Sequence, residues 1–433
     1  MSDASSSGWG RLAKLGAMTS RVAASYVQEG VRHVLGTRTA ATTAAAHVRN
    51  AAELTRQLAQ LKGAAMKMGQ QLALFSDALD LPPEVRASLG SLNSRATAVP
   101  FQQIRSTVER ELGGPLDTHF AWFDERPLGT ASLAQAHAAK GLDGRDLVVK
   151  VLHEGVAESL RTDVAAFRAM LVPQLLAFGR KKSEIDEVFA EIEARLAEEL
   201  DYVQEALNLA EYARVWRGDA DIRVPGVDID RSTRRVLVMG RVDGVDLDTF
   251  AGMASDAAKA RAAAALSRFT FGQLTRQRAV HADPHPGNFL FAADGSVGVL
   301  DFGCIKRFDP YFLETWSQIA FDVLEDRREP ALAGCVDLGA WDGVDPAAGD
   351  ALWSLLATIG EAFRRGPIVL GGPDDTMLEA LRAPAMGLLR FPSVRAPRDV
   401  VFLHRALGGL YMLGRQLGIR VDFAETVRSA FPR

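Results

Sequence analysis

Residues 281–288 read HADPHPGN, and residues 300–304 read LDFGC. Two acids and an amide lie close together here, Asp283, Asn288 and Asp301, with apolar strand-like runs on either side. The stretch is either a phosphoryl-transfer site or a rigid Pro/His turn that imitates one. Phosphoryl transfer separates the two, because it asks for a short and ordered set of parts, most of them electrostatic.

A lysine must neutralise nucleotide phosphates, and an acid on a helix must hold that lysine. One carboxylate must face the acceptor, and an Asp and an Asn must supply hard oxygen ligands to Mg²⁺. Lys150 closes the strand-like DLVV. Glu205 lies on the helix that follows, read as one long helix over about 184–215, where Asp201, Glu205 and Asn208 share a face by their spacing. Asp283 and Asn288 are five apart, the spacing of the H-R-D-x-x-x-x-N catalytic loop, and Asp301 opens a D-F-G. Taken singly, a strand-ending Lys or a helical Glu is an ordinary surface residue. Their order along the chain decides for a nucleotide site. His281 and His285 read as hydrogen-bonding loop residues, since two cysteines and few other histidines give no metal-ligand set.

The rest of the chain fits around these parts. It has 433 residues, 48% hydrophobic and 24% charged, an ordinary soluble composition with room for more than one core. A net charge of −4 argues against a general nucleic-acid partner. Cys304 and Cys335 alone give no disulfide framework and suit a reducing compartment. No segment reaches the roughly 18 apolar residues of a membrane span. The run VVFLHRALGGLYMLG (400–414) carries His404 and Arg405 and reads as a core helix. A cytoplasmic location is expected, either free or attached peripherally to a membrane surface.

Residues 52–79 give the clearest helix, with Leu54, Leu58, Leu61, Ala65, Met68, Leu72, Phe75 and Leu79 on one seam and LPPE stopping it. From about 126 the pattern reads as a hairpin and a third strand, and after about 247 as mainly helix. Four segments follow: a basic arm (1–50), a helical extension (51–100), a small sheet lobe with its long helix (101–242), and a helical lobe (243–433). In the 184–215 helix, Ile185, Val188, Phe189, Ile192, Leu196, Leu200, Val203 and Leu207 form the apolar side. The fold class is therefore α+β, with the lysine on the sheet lobe and the acids on the helical one.

At this point the sequence resembles the AarF/UbiB family of atypical protein-kinase-like proteins over about 50–420. LKGAAMKMGQQLA is similar to the family's K-x-G-Q signature, with Lys67, Gly69 and Gln70. AEELDYVQEALN is similar to its E-x-D signature, with Glu199 and Asp201, and it sets Glu205 where the family's lysine-holding Glu stands. The resemblance implies a two-lobe protein-kinase-like fold whose N-terminal extension covers the nucleotide cleft and restricts a protein substrate. The residues agree: Glu199 falls beside an apolar stripe, where an unpaired acid is costly, so Lys67 is expected to meet Glu199 or Asp201.

The chain also departs from familiar patterns. Where ordinary kinases carry a Gly-rich loop and the family an A-A-A-S loop, this chain has Gly129, Thr130, Ala131 and Ser132. Ala282 replaces the Arg of H-R-D, and no A-P-E follows the D-F-G. The expected cofactors are ATP or ADP with Mg²⁺. Lys150 and the 129–132 loop would meet phosphate, Asp283 the acceptor, and Asn288 and Asp301 the metal. The expected activity is ATP hydrolysis or phosphorylation of a small molecule or lipid, and the resemblance implies a link to isoprenoid-quinone or lipid metabolism, with a lipid or isoprenoid as a candidate substrate. Two other functions compete. A phosphotransferase of the aminoglycoside or choline type explains 281–301 but leaves the 52–79 helix unused. A nucleotide-gated lipid-handling scaffold would bind without turnover.

Overall fold

The computed structural model describes residues 98–156 and 182–431, with isolated positions between 162 and 176. The 1–50 arm and the 52–79 helix with Lys67 and Gln70 lie outside the described residues, and with them the expected meeting of Lys67 with Glu199 or Asp201. The chain divides into two compact units. One takes the described residues through Gln204 together with Asp228–Met239; the other takes Glu205–Val227 and the residues from Gly240 onward.

The first unit is built on a four-stranded sheet. After helix α1 (Phe101–Leu112) come β1 (Phe120–Thr130), β2 (Ala134–Gly141) and β3 (Asp146–Leu152). Helix α2 (Lys182–Glu199) follows; α3 (Tyr202–Val215), from Glu205 onward, and β4 (Ile222–Arg223) belong to the second unit, and the chain returns to the first with β5 (Val236–Gly240). The sheet order is β1-β2-β3-β5, with antiparallel β1/β2 and β2/β3 pairs. The β2–β3 turn is set by an Asp-Gly pair. Gly144 takes φ 81°, open to glycine without a Cβ penalty, and the Asp143 carboxylate accepts the Arg145 N–H at 3.1 Å.

Period-two alternation then sorts β3. Leu147, Val149 and Val151 join the core with Ile104 and Val108 of α1, Phe120, Val236 and Val238. Each such fully buried side chain contributes about 1.5–3 kcal/mol. Lys150, on the other parity, leaves the sheet on the face away from that cluster. It lies within the strand, opposite Ala136, rather than at its end as the sequence suggested.

The single helix expected over 184–215 is two. The chain breaks at Leu200–Asp201, where the Asp201 carboxylate accepts the Val203 N–H at 3.1 Å, the capping bond that Asp makes at a helix start. The break resets the helical phase. Ile185, Phe189, Ile192 and Leu196 form the buried ridge of α2. In α3 the buried face is Tyr202, Glu205, Ala206, Asn208, Leu209 and Tyr212, while Val203 and Leu207 are 42% and 53% exposed. Asp201 therefore caps α3 and does not share a helix face with Glu205 and Asn208.

In the second unit the chain continues through α4 (Leu247–Met253), α5 (Asp256–Gln277), β6 (Ala279–His281), β7 (Phe289–Phe291), β8 (Val297–Val299) and β9 (Ile305–Arg307). Helices α6 (Pro310–Leu324), α7 (Arg328–Asp337) and α8 (Pro346–Arg364) come next, then β10 (Ile368–Val369), α9 (Met377–Leu388), α10 (Arg398–Leu417), β11 (Arg420–Val421) and α11 (Phe423–Ala430). Short strands make a β4-β8-β7 sheet and a β6/β9 ribbon. Leu274 of α5, Val280 of β6, Phe308, Phe312 and Leu313 pack with Leu403 and Ala406 of α10. That core holds the ribbon, and the ribbon frames both acidic loops.

Candidate functional site

In the second unit the acidic loops grow from paired strands. β6 delivers His281, the chain turns through Asp283–Asn288, and β7 leaves; β8 then delivers the Asp301 loop and β9 leaves it. The loops are tied by backbone, with the Ala282 N–H donating to the Cys304 carbonyl at 2.9 Å and the Leu300 N–H to the Asn288 carbonyl at 3.0 Å.

His281 joins them by its side chain as well. Its buried ring accepts the Asp283 N–H at Nδ1 (3.3 Å), so Nε2 carries the proton and donates to the Asp301 carbonyl at 2.5 Å. The His285 Nδ1 accepts the Gly287 N–H at 3.0 Å. Both rings hydrogen-bond within the loops.

The Asn288 amide nitrogen donates to the Asp283 carbonyl (2.9 Å) and to its carboxylate Oδ2 (3.2 Å). This fixes the amide so that its oxygen is the atom turned away from Asp283. The Asp301 Oδ1 accepts the Gly303 N–H at 3.0 Å. A Cβ placed on Gly303 would lie 3.3 Å from that oxygen and 3.6 Å from Glu205 Oε2, so Glu205 stands beside the Asp301 carboxylate across an open backbone. Glu205 Oε1 also accepts the Phe302 N–H, at a long 3.5 Å. The structure thus brings Asp283, Asn288, Asp301 and Glu205 together within one unit.

Phe302 anchors the second loop. It is fully buried, its ring 4.8 Å from that of Tyr212, and its carbonyl accepts from the Asn208 amide at 3.0 Å. Burial pushes the Tyr212 phenol well above the ordinary tyrosine range, so it stays neutral. Its hydroxyl donates to Gln273 Oε1 at 3.0 Å, and the same oxygen accepts the His281 N–H at 2.8 Å.

The other sequence-predicted residues belong to the first unit. Gly129 and Thr130 end β1, and Ala131 and Ser132 form the tight turn into β2, closed by the Ala131 N–H donating to the Ala134 carbonyl at 2.8 Å. Lys150 lies on β3 with its ammonium 5.5 Å from the centre of the Tyr202 ring. Glu199 is the half-buried last residue of α2, and Asp201 is the cap of α3.

Two residues were missed in the sequence. Arg405 of α10 donates from Nη2 to Asp283 Oδ1 at 3.0 Å. Gly409, one turn later, lets the helix meet Pro284, where a Cβ would come within 2.0 Å of the ring. The signal was present as a charge inside an apolar run, since a charge on a packed helix needs a partner.

As a donor set, the Asp301 carboxylate and the Asn288 amide oxygen suit a hard cation that takes one or two protein oxygens and completes its shell with phosphate and water. Among the described residues no cluster of three or more His, Cys, Asp or Glu is arranged to hold a metal alone. No helix among them is long and apolar enough to cross a membrane.

Comparison with known proteins gives the family of the chain. Residues 91–331, more than half of the chain, match the ABC1 atypical kinase-like domain. The chain is 27% identical over 387 residues to "Atypical kinase COQ8, mitochondrial" of Saccharomyces cerevisiae, covering 88% of this chain and 76% of that protein. It is 31% identical over 252 residues to "Probable protein kinase UbiB" of Marinobacter nauticus, covering 57% of this chain and 46% of that one. The solved structure of Rv3197 from Mycobacterium tuberculosis in complex with erythromycin shares the fold, with a TM-score of 0.65 at 22% identity over 90% of this chain and 98% of that chain. The chain belongs to the ABC1 atypical kinase-like family, the group that holds the UbiB and COQ8 atypical kinases.

Proposed function

We propose that the chain binds Mg²⁺ with ATP or ADP and turns over ATP, as an ATPase or as a kinase for a small-molecule or lipid acceptor. The observation that carries this reading is the orientation of Asn288. Its amide nitrogen is held by Asp283, which leaves its oxygen turned away from that acid to serve as the second hard donor. When bound with nucleotide, Mg²⁺ neutralises charge on the phosphoryl oxygens. Asp301 and Asn288 hold it, and Asp283 orients the acceptor hydroxyl or water through its carboxylate. Lys150 meets nucleotide phosphate from the sheet, the Gly129–Ser132 turn covers it, and Glu205 orients Lys150. Lys67, Gln70, Glu199 and Asp201 restrict access.

The resemblance to the AarF/UbiB proteins supports an isoprenoid-quinone or other lipid pathway, with the protein in the cytoplasm and touching a membrane surface peripherally. The test is the melting shift of the full chain with ATP and with ADP, with and without Mg²⁺, beside Asp301→Asn. At about 100 times the dissociation constant, bound nucleotide adds roughly 2.7 kcal/mol. A Mg²⁺-dependent shift lost in Asp301→Asn supports the site. No shift with any nucleotide overturns it. A shift without ATP turnover favours the nucleotide-gated scaffold.

A further inference from the structure

We infer that Arg405 is a positioning residue for Asp283, and that the face of α10 bearing Arg405 and Gly409 sets the catalytic loop from outside it. The inference rests on the nucleotide-site reading for the role of Asp283. The contact itself does not depend on that reading.

The loop brings no cation of its own to its acid. The residue before Asp283 is Ala282, fully buried, and His281 spends its ring on Asp301 and the backbone. The charge comes from 122 residues further along the chain. Arg405 Nη2 holds Asp283 Oδ1 at 3.0 Å while Asn288 Nδ2 holds Oδ2 at 3.2 Å. A carboxylate gripped at both oxygens cannot turn about its terminal bond. Each oxygen has two lone-pair sites, so each keeps one in a fixed direction for a hydroxyl or water. The ion pair is partly screened, with side-chain exposures of 24% and 33%, so its energy is modest and its value is geometric.

The backbone contact supports the same reading. Arg405 and Gly409 are i and i+4 on α10 and share a face. A Cβ built on Gly409 would lie 2.0 and 2.3 Å from two ring carbons of Pro284, whereas one built on Gly408 would meet nothing within 4 Å. Ala406, Leu410 and Leu413 continue that face against His281, Pro284 and Phe289. One helix face therefore touches the loop at Asp283 by charge and at Pro284 by close packing.

The experiment uses the full chain with Arg405→Ala and Arg405→Lys. Mg·ATP turnover is followed with and without guanidinium chloride at low, non-denaturing concentration, and the Mg·ADP melting shift is recorded beside it. Misplacing a reacting group by about 1 Å costs up to roughly 100-fold, so kcat should fall about 10- to 100-fold in Arg405→Ala. KM for ATP and the nucleotide shift should stay near wild type, with partial recovery in Arg405→Lys and on adding guanidinium. Unchanged kcat overturns the inference. So does a loss of kcat together with nucleotide binding that neither rescue restores, which is the signature of a merely structural brace.

If the wild-type chain binds nucleotide without turnover, or binds none, amide hydrogen exchange decides instead. Arg405→Ala should speed exchange at His285 and Asn288, whose N–H groups close the loop, and leave the α10 amides as they were. Unchanged loop exchange overturns the inference. Failure of the nucleotide shift in wild type counts only against the site reading.

Discussion

The two acidic loops sit side by side and are held by opposite means. The Asp301 loop is anchored close to itself: its own Gly303 N–H meets the carboxylate, and Phe302 plugs between Tyr212 and His281. The Asp283 loop has no such plug. Gln273 of α5 holds its start, and Arg405 and Gly409 of α10 hold its acid and its proline. An aromatic plug fixes a loop by burial, which tolerates small shifts of its neighbours. An ion pair joined to a glycine contact fixes a loop by distance and tolerates very little.

The largest effect should come from removing the plug. Phe302→Ala deletes a fully buried ring and should cost about 3–5 kcal/mol in chemical or thermal denaturation. A loss under about 1 kcal/mol would mean that the loop is held by its hydrogen bonds, and the contrast would collapse.

Next come the two adjacent glycines of α10, which predict opposite signs. Gly408→Ala meets open space and should stabilise by up to about 1 kcal/mol through helix propensity. Gly409→Ala has the same propensity gain but drives a methyl into Pro284, and overpacking of about 1–3 kcal/mol should turn the balance to a loss. Equal effects at both positions would show that α10 does not press on the loop.

The smallest effect concerns β9, which leaves the Asp301 loop. There the Arg307 guanidinium bonds Glu211 at 2.6 Å, and together with Gln277 it holds that carboxyl below its ordinary 4.5, against a smaller opposing effect of burial. A lowered folded pKa means that the unfolded chain binds the proton more readily. The stabilisation is therefore complete above about pH 4.5 and is lost as pH falls through the folded value. Wild type should exceed Glu211→Gln slightly in melting temperature at neutral pH, and the gap should close on acidification. A gap that persists in strong acid would exclude the ion pair as its source. The pair is half open to water, so salt should shrink the gap too.

What the sequence made legible follows from the range of each interaction. The D-F-G and the D-x-x-x-x-N spacing are local, and so are the alternation of β3 that turns Lys150 from the core and the Asp-Gly turn before it. Asn208 was legible as a neighbour of Glu205 on one face, and the structure gives it the Phe302 carbonyl. The α2–α3 break was not legible. Leu196, Leu200, Val203 and Leu207 keep helical spacing straight across it, and the capping preference of Asp201 prevailed over that periodicity. Arg405 and Gly409 were out of reach for another reason. Their partners lie more than a hundred residues away, and periodicity carries no information about which helix meets which loop.

One consequence concerns where the working piece of this chain ends. The recognisable domain closes at residue 331, after every motif of the site has passed, whereas α10 begins at Arg398. A chain cut after residue 331 would retain every motif named above. It would also have lost the guanidinium that grips Asp283 and the glycine that admits Pro284. For anyone trimming the chain for expression or grafting its acidic loops onto another scaffold, the edge of the matched domain and the edge of the piece that carries Arg405 and Gly409 are different lines.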